Sequence, residues 1–367
     1  MEGRVLLLAM TVASANAAGM TLDAINFEGG PRLTITANPV SSDGSNLPPQ
    51  KLLLDTGSST LAFCDSSLEA EVKPFQSEYY SCNIYGSAQV KEGYWGPFYK
   101  GGVAIGNINV PGAYYSIMTQ QVSMPCSGSS GSVNGIFGIA FHQLDQATAE
   151  APESWPSNGV GSCPRPSTDF VQPLMQYLNS AGGTKKLGIY WSGKQGDGEG
   201  QLYLNEDATS NSYYDERAAS AIGTAALGEF GWYDITVESV GYGGQSYSDI
   251  TCNPQNGSPC IMDTGTPVMV IPQDAYDAMA QGQTGELTVT LKGSGWSSKS
   301  VELKFDAQIL LENQWVQPSP QAGVILGLPL RAFYYTVMDI SGQFASFTPM
   351  PAYFTKGANS TKETVVV

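Results

Sequence analysis

One short pattern is written twice in this chain of 367 residues. Residues 52–60 read LLLDTGSST and residues 260–268 read CIMDTGTPV: an apolar run, then Asp-Thr-Gly, then a hydroxyl residue. Each copy has a downstream partner, NGIFGIA at 134–140 and GVILGLP at 323–329, where apolar residues lead into a glycine and resume after it. A single Asp-Thr-Gly arises easily by chance. Two of them, each followed by its own partner in the same order, mark an internal duplication. The fold must therefore consist of two like halves, each presenting an aspartate, Asp55 or Asp263, at the end of a buried strand.

An aspartate in that position is costly if it stays charged and alone. Two of them brought together resolve the problem by sharing one proton, because like charges at close range cannot both ionise. The neighbouring residues have matching roles. Gly57 and Gly265, lacking Cβ, allow a sharp turn and bring a backbone N–H to a carboxylate. The hydroxyls of Thr56 and Thr264 can hydrogen-bond across to the opposite loop. Ser58 and Thr266 can each donate to the adjacent carboxylate and hold it in plane. Pro267 stands in the second copy where the first has Ser59. It removes an N–H and biases Thr266 toward extended backbone, but it falls beyond the groups that touch Asp263.

The rest of the chain reads as all-β. Stretches such as PRLTITANPV, GGVAIGNINV, GELTVTLKG and VELKFDA are short, apolar or alternating, and 42 glycines and 22 prolines punctuate them. Helical patterns are few: TDFVQPLMQYLNSAG and PQDAYDAMAQG. The proline-rich run from Ala149 to Pro166 reads as an irregular loop.

Composition excludes several functions. A net charge of −16, from 17 basic and 33 acidic residues, repels nucleic acid and anionic membranes. With one histidine, His142, read as a surface or partly packed side chain, no multi-histidine metal site can form. No metal and no cofactor are expected. Residues 1–17, MEGRVLLLAMTVASANA, read as an export signal, and no other run has the length of a membrane span. In an oxidising compartment the six cysteines pair, and order along the chain suggests Cys64–Cys82, Cys126–Cys163 and Cys252–Cys260. Metal binding is the weaker alternative, as there is no CxxC. Asn256 and Asn359 head candidate glycosylation sequons.

Nearly the whole mature sequence resembles the pepsin-like aspartic proteases. KLLLDTGSSTLAF is similar to that family's first active-site block and CIMDTGTPV to its second. VILGLPLRAFYYTVMDISGQFASFTP resembles its C-terminal block, and EFGWYDITVESV and GQLYLNED its later strands. The resemblance implies two β-barrel-like lobes around a central cleft, at 18–184 and 185–350, followed by a tail at 351–367. It implies catalysis by Asp55 and Asp263 on a water held between them, with peptide or protein substrates and a monomeric, secreted or vacuolar/lysosomal enzyme working at acidic pH. It also implies a hairpin flap with a tyrosine, assigned to Tyr85 in NIYGSAQVKEGYWG, with Tyr80 and Tyr94 as alternatives. A catalytically silent scaffold acting as an inhibitor or binding protein is the competing reading. Such relatives commonly lose an aspartate or glycine of one triplet, and here both triplets are intact.

Three departures from the family pattern accompany Pro267. Ala62 stands where the family has a tryptophan that bonds the flap tyrosine, which predicts a looser flap. Leu328 replaces an aspartate beside the second loop, which predicts a shifted pH optimum. Between Ala18 and Leu52 only Arg32 and Lys51 are basic, so the usual salt-bridged prosegment is not recognisable.

Overall fold

The computed structural model describes residues 19–351, except 28–29, 42, 65, 87–90, 107, 125, 127–132, 146, 157–158, 167–170, 172, 179–184, 224–229, 254–257, 283, 294–298 and 320–322. The expected export signal at 1–17, Asn256 and Asn359 of the candidate sequons, and the tail from residue 352 lie outside the described residues.

The duplication seen in the sequence is a duplication of strand topology. In the first half, Gln50–Asp55 runs parallel to Gly135–Gly138, which pairs antiparallel with Leu61–Phe63, which runs parallel to Ile108–Ile117. In the second half, Cys260–Met262 runs parallel to Val324–Leu326, which pairs antiparallel with Met269–Pro272, which runs parallel to Val316–Ser319. In each half the downstream glycine segment is threaded between the strand that ends at the aspartate and the strand that follows it. Strands covered on both faces read as unbroken apolar runs, and Gly135–Gly138 and Cys260–Met262 are buried along their whole length.

Threading a strand through that gap explains the glycine in both partner motifs. A Cβ on Gly138 would lie 2.6 Å from the Thr60 carbonyl oxygen, and one on Gly327 would lie 1.9 Å from that of Val268. No side chain fits at either point.

The halves are joined by a 14-stranded sheet, flanked by two four-stranded sheets in the second half. Met20–Phe27 pairs with Gly196–Leu204, so the first described strand is built into a sheet with strands from beyond residue 185. Lys186–Trp191 continues that sheet to Tyr334–Asp339 and Phe344–Pro349. A continuous apolar core fills both halves, with Leu52, Leu54, Phe63 and Phe137 on one side and Met262, Met269, Leu326 and Leu328 on the other. Most expected strands form. PQDAYDAMAQG becomes the helix Gln273–Gly282, and among the described residues of the other helical pattern Leu174–Tyr177 is α-helical.

Two of the three expected disulfides are wrong. The bridges are Cys64–Cys126 and Cys82–Cys163, with Cα separations of 5.4 and 5.7 Å; only Cys252–Cys260 joins neighbours along the chain as expected. The hairpin explains the exchange. Cys82 lies opposite Trp95 in the pairing of Gln76–Gly86 with Lys91–Ile105. The Trp95 indole donates to Gln120 Oε1, which also accepts from the Trp155 N–H, so this edge meets the loop that carries Cys163. Cys64 instead donates its N–H to the Asn134 carbonyl, beside the chain returning from Cys126. Proximity along the sequence was a poor guide because β-pairing carries each cysteine away from its chain neighbour.

Candidate active site

Each aspartate stands where its strand leaves the sheet, and the loop behind it is tied to the opposite loop with near two-fold symmetry. Thr56 N–H donates to Thr264 Oγ1 at 3.1 Å, and Thr264 N–H donates to Thr56 Oγ1 at 2.8 Å. Each hydroxyl then crosses the interface. Thr56 Oγ1 donates to the Met262 carbonyl at 3.0 Å, and Thr264 Oγ1 to the Leu54 carbonyl at 2.8 Å. All four bonds are buried, where they are protected from competing water. This clamp fixes the two aspartates relative to one another.

The carboxylates are held alike. Asp55 accepts from Gly57 N–H at 2.7 Å and from Ser58 Oγ at 2.5 Å. Asp263 accepts from Gly265 N–H at 2.8 Å and from Thr266 Oγ1 at 2.5 Å. Pro267 disturbs none of this. It lines the cleft and abuts Gly30 of the first half, where a Cβ would meet the proline Cβ at 2.4 Å.

The glycines of the two triplets sit in the turns expected of them, each bringing its N–H to the aspartate two residues earlier, and they serve a second purpose as well. Neither has a positive φ. A Cβ on Gly265 would lie 2.3 Å from Asp55 Oδ1, and one on Gly57 would lie 2.7 Å from Asp263 Oδ1. Each glycine leaves the space that the other half's aspartate occupies, so the two carboxyls can meet only across a pair of glycines.

That proximity has an electrostatic consequence. Burial, then the charge of Asp263, pushes the Asp55 carboxyl up to about 7, against the lowering effect of Ser58 and Gly57. One carboxyl of the pair therefore retains its proton well above the ordinary carboxylate range.

The aspartates lie on the floor of a cleft of about 700 Å³ whose walls include Phe27, Arg32, Tyr85, Met124, Trp232 and Gln317. Tyr85 is on the strand Gln76–Gly86, opposite Glu92, and so lies in the hairpin over the dyad. Beside it Ile84 is the one large apolar side chain exposed among the described residues, at 39 %. Tyr80, at the base of the hairpin opposite Pro97, is not part of the cleft wall. Tyr94 is fully buried, its ring centroid 6.3 Å from that of Tyr85. It packs in a cluster with Ala62, Met118, Met124 and Ile136. A tyrosine from the hairpin thus stands in the region above Ala62.

Four residues of this region were not singled out from the sequence. The Trp232 indole donates to the Gly57 carbonyl at 2.9 Å, and the Tyr233 hydroxyl to the Ile139 carbonyl at 2.7 Å, tying the second half to both active loops of the first. Their signal was their place in EFGWYDITVESV. Asp145 is 3 % exposed and accepts from Thr60 Oγ1 at 2.7 Å, five residues after Asp55; burial pushes it up to about 7. Arg331, wholly buried behind the second loop, has no counterpart in the first half's motif. His142 is exposed, as the sequence suggested. Among the described residues no cluster of three or more potential metal ligands occurs, and no helix is long and apolar enough to cross a membrane.

Comparison with known proteins agrees with this geometry. No family model matches the chain. Rhizopuspepsin-4 of Rhizopus niveus is 25 % identical over 270 residues, covering 66 % of this chain. The chain spans 58 % of the length of that curated relative. The crystal structure of the aspartic proteinase from Irpex lacteus superposes with a TM-score of 0.63, covering 93 % of this chain and all of the other at 16 % identity. That likeness shows the fold: β-rich, bilobal and pepsin-like.

Proposed function

We propose that this chain, pepsin-like in fold and in sequence, is an aspartic endopeptidase. The observation that carries this reading is the symmetric pair Asp55 and Asp263, each held by a glycine N–H and a hydroxyl, at the floor of a peptide-sized cleft. The pair shares one proton. Asp55, pushed up to about 7, retains it in acid solution, which leaves Asp263 the role of base. A water between the carboxyls gives its proton to Asp263 as it attacks the scissile carbonyl. Asp55 hydrogen-bonds the carbonyl oxygen and stabilises the oxyanion that forms. Collapse of the tetrahedral species transfers a proton to the leaving amine, and the dyad returns to its starting state.

Both aspartates come from one chain, so no second copy is needed to complete the site. Tyr85 is the flap residue that closes over bound peptide, with Ile84 contributing apolar surface. Three disulfides fit an oxidising compartment, and secretion or delivery to an acidic vacuole or lysosome accords with the N-terminal export signal.

The test is cleavage of a broad peptide library between about pH 3 and 7, by the wild type, by the wild type with pepstatin, and by Asp263→Asn. The expected result is cleavage that pepstatin blocks and the variant lacks. Cleavage indifferent to both treatments would rule out the dyad. No cleavage anywhere in that range would favour a silent scaffold that binds peptides or proteins without cutting them.

A further inference from the structure

The hairpin that carries Tyr85 is braced on one face by a loop that takes no part in the cleft. Its second strand, Lys91–Ile105, is flanked by Gln76–Gly86 on one side and by the short strand Gln120–Val122 on the other. Two rows of residues therefore run across three strands. Cys82, Trp95 and Gln120 form one row, and Ile84, Gly93 and Val122 form the next, nearer the tip. Side chains alternate along a strand, so both rows lie on the face opposite Tyr85 and Tyr94.

The loop after Thr148 closes on that face. Thr148 and Tyr80 exchange backbone hydrogen bonds of 2.9 Å, which pins the start of the loop to the base of the hairpin. At the first row, Gln120 Oε1 accepts from the Trp95 indole at 3.0 Å and from the Trp155 N–H at 2.7 Å, while Gln120 Nε2 donates to Ser154 Oγ at 2.9 Å. Cys82, in the same row, is bonded to Cys163. The Trp155 ring covers the second row, the last before Tyr85. A Cβ on Gly93 would lie 3.2 Å from that ring, and one on Gly161 would lie 2.2 Å from its Cδ1, so the indole fills a slot between two glycines. Trp155 is 6 % exposed, and its ring N–H has no acceptor among the described residues. Packing, not hydrogen bonding, seats the ring. It is no part of the cleft wall, so it acts on a bound peptide only through the hairpin.

We propose that Trp155 is a positioning residue: its ring, seated on Gly93 and fastened through Gln120 and Cys163, holds the hairpin so that Tyr85 stands over Asp55 and Asp263 before a peptide arrives. The role rests on the reading of Tyr85 as the flap residue of an endopeptidase, but the restraint on the hairpin can be measured without turnover. A hairpin of two strands alone is marginally stable in water. Here a third strand and an indole cover one face, and only the pairs Tyr85 with Glu92 and Gly86 with Lys91 extend beyond the brace. A peptide then meets a flap already in place, and the ordering of the flap no longer opposes binding.

The experiment compares the full-length wild type with Trp155→Ala, which removes the ring, and Trp155→Phe, which keeps an aromatic ring on Gly93. Amide hydrogen exchange is followed by mass spectrometry, and peptide cleavage gives kcat and KM separately. In Trp155→Ala, exchange in Gln76–Gly86 and Lys91–Ile105 should quicken about tenfold, while Gln50–Asp55 and Cys260–Met262 exchange as in wild type. A smaller fraction of hairpins in place raises KM in proportion and leaves kcat alone. The expected rise in KM is about fivefold, and Trp155→Phe should recover most of it. Wild-type exchange in the hairpin of folded Trp155→Ala overturns the proposal, as does a fall in kcat at constant KM. Should that variant not fold, Gln120→Leu is compared with Gln120→Glu, which keeps the acceptor oxygen. Faster hairpin exchange in Gln120→Leu alone supports the proposal, and equal exchange in the two overturns it. Cleavage by wild type with unmoved exchange and KM in Trp155→Ala keeps the endopeptidase and removes the brace. Faster hairpin exchange in a chain that cuts no peptide keeps the brace and removes the endopeptidase.

Discussion

Replacing Thr264 with valine removes one oxygen and almost no volume, which makes it a clean probe of the clamp between the halves. The lost Oγ1 serves two backbone groups, accepting from Thr56 N–H at 3.1 Å and donating to the Leu54 carbonyl at 2.8 Å. Thr264 is 1 % exposed and Thr56 0 %, so water cannot take the missing place. An orphaned buried polar group costs about 1–3 kcal/mol, and two give a destabilisation of ~2–6 kcal/mol. Thr56→Val orphans the symmetric pair, Thr264 N–H and the Met262 carbonyl, and should cost a similar amount. Serine at either position keeps the hydroxyl and should recover most of the loss. Chemical unfolding monitored by tryptophan fluorescence measures the difference, and peptide hydrolysis reports on the dyad. Because the clamp sets the spacing of the aspartates, kcat in the valine variants should fall by about 10²-fold. Valine variants as stable and as active as their serine counterparts would refute the reasoning. They would show that the halves are aligned by packing alone.

Two further outcomes follow from buried groups and from the disulfides. Asp145 is pushed up to about 7 from 3.8, so between those values the folded state holds a proton that the unfolded state has released. Its contribution to stability is therefore full below about pH 4 and is lost as pH rises toward 7. Asp145→Asn, which still offers an oxygen to Thr60, should flatten that decline and raise stability at pH 7 by roughly 1–3 kcal/mol; melting curves at several pH values check it, and an unchanged pH slope counts against it. Non-reducing peptide mapping should recover Cys64 linked to Cys126 and Cys82 to Cys163. Recovery of Cys64 with Cys82 would contradict the hairpin placement.

Ala62 shows how a residue read from the sequence meets its neighbours only in the fold. Its small side chain predicts an unsupported flap, because a tryptophan's bulk and N–H are absent. In the fold, Tyr94 from the opposite strand of the hairpin packs with Ala62 beneath Tyr85. The residue that fills the space lies 32 positions further along the chain and meets Ala62 only through hairpin formation.

The chain alone determined that there are two halves, that each offers an aspartate from a buried strand, and which glycines and hydroxyls accompany it. These features are local: an apolar run, a triplet and a hydroxyl are contiguous, and duplication copies them intact. What the tertiary structure decided is what lies across a gap from something else. It showed that Gly57 and Gly265 also make room for the opposite aspartate, that Cys82 and Cys64 pair with cysteines far along the chain, and that Trp232 braces Gly57 from the other half. It also placed Arg331 behind Asp263. In the sequence that arginine is one of 17 basic residues; only the packing of a short helix beneath the second loop removes its water.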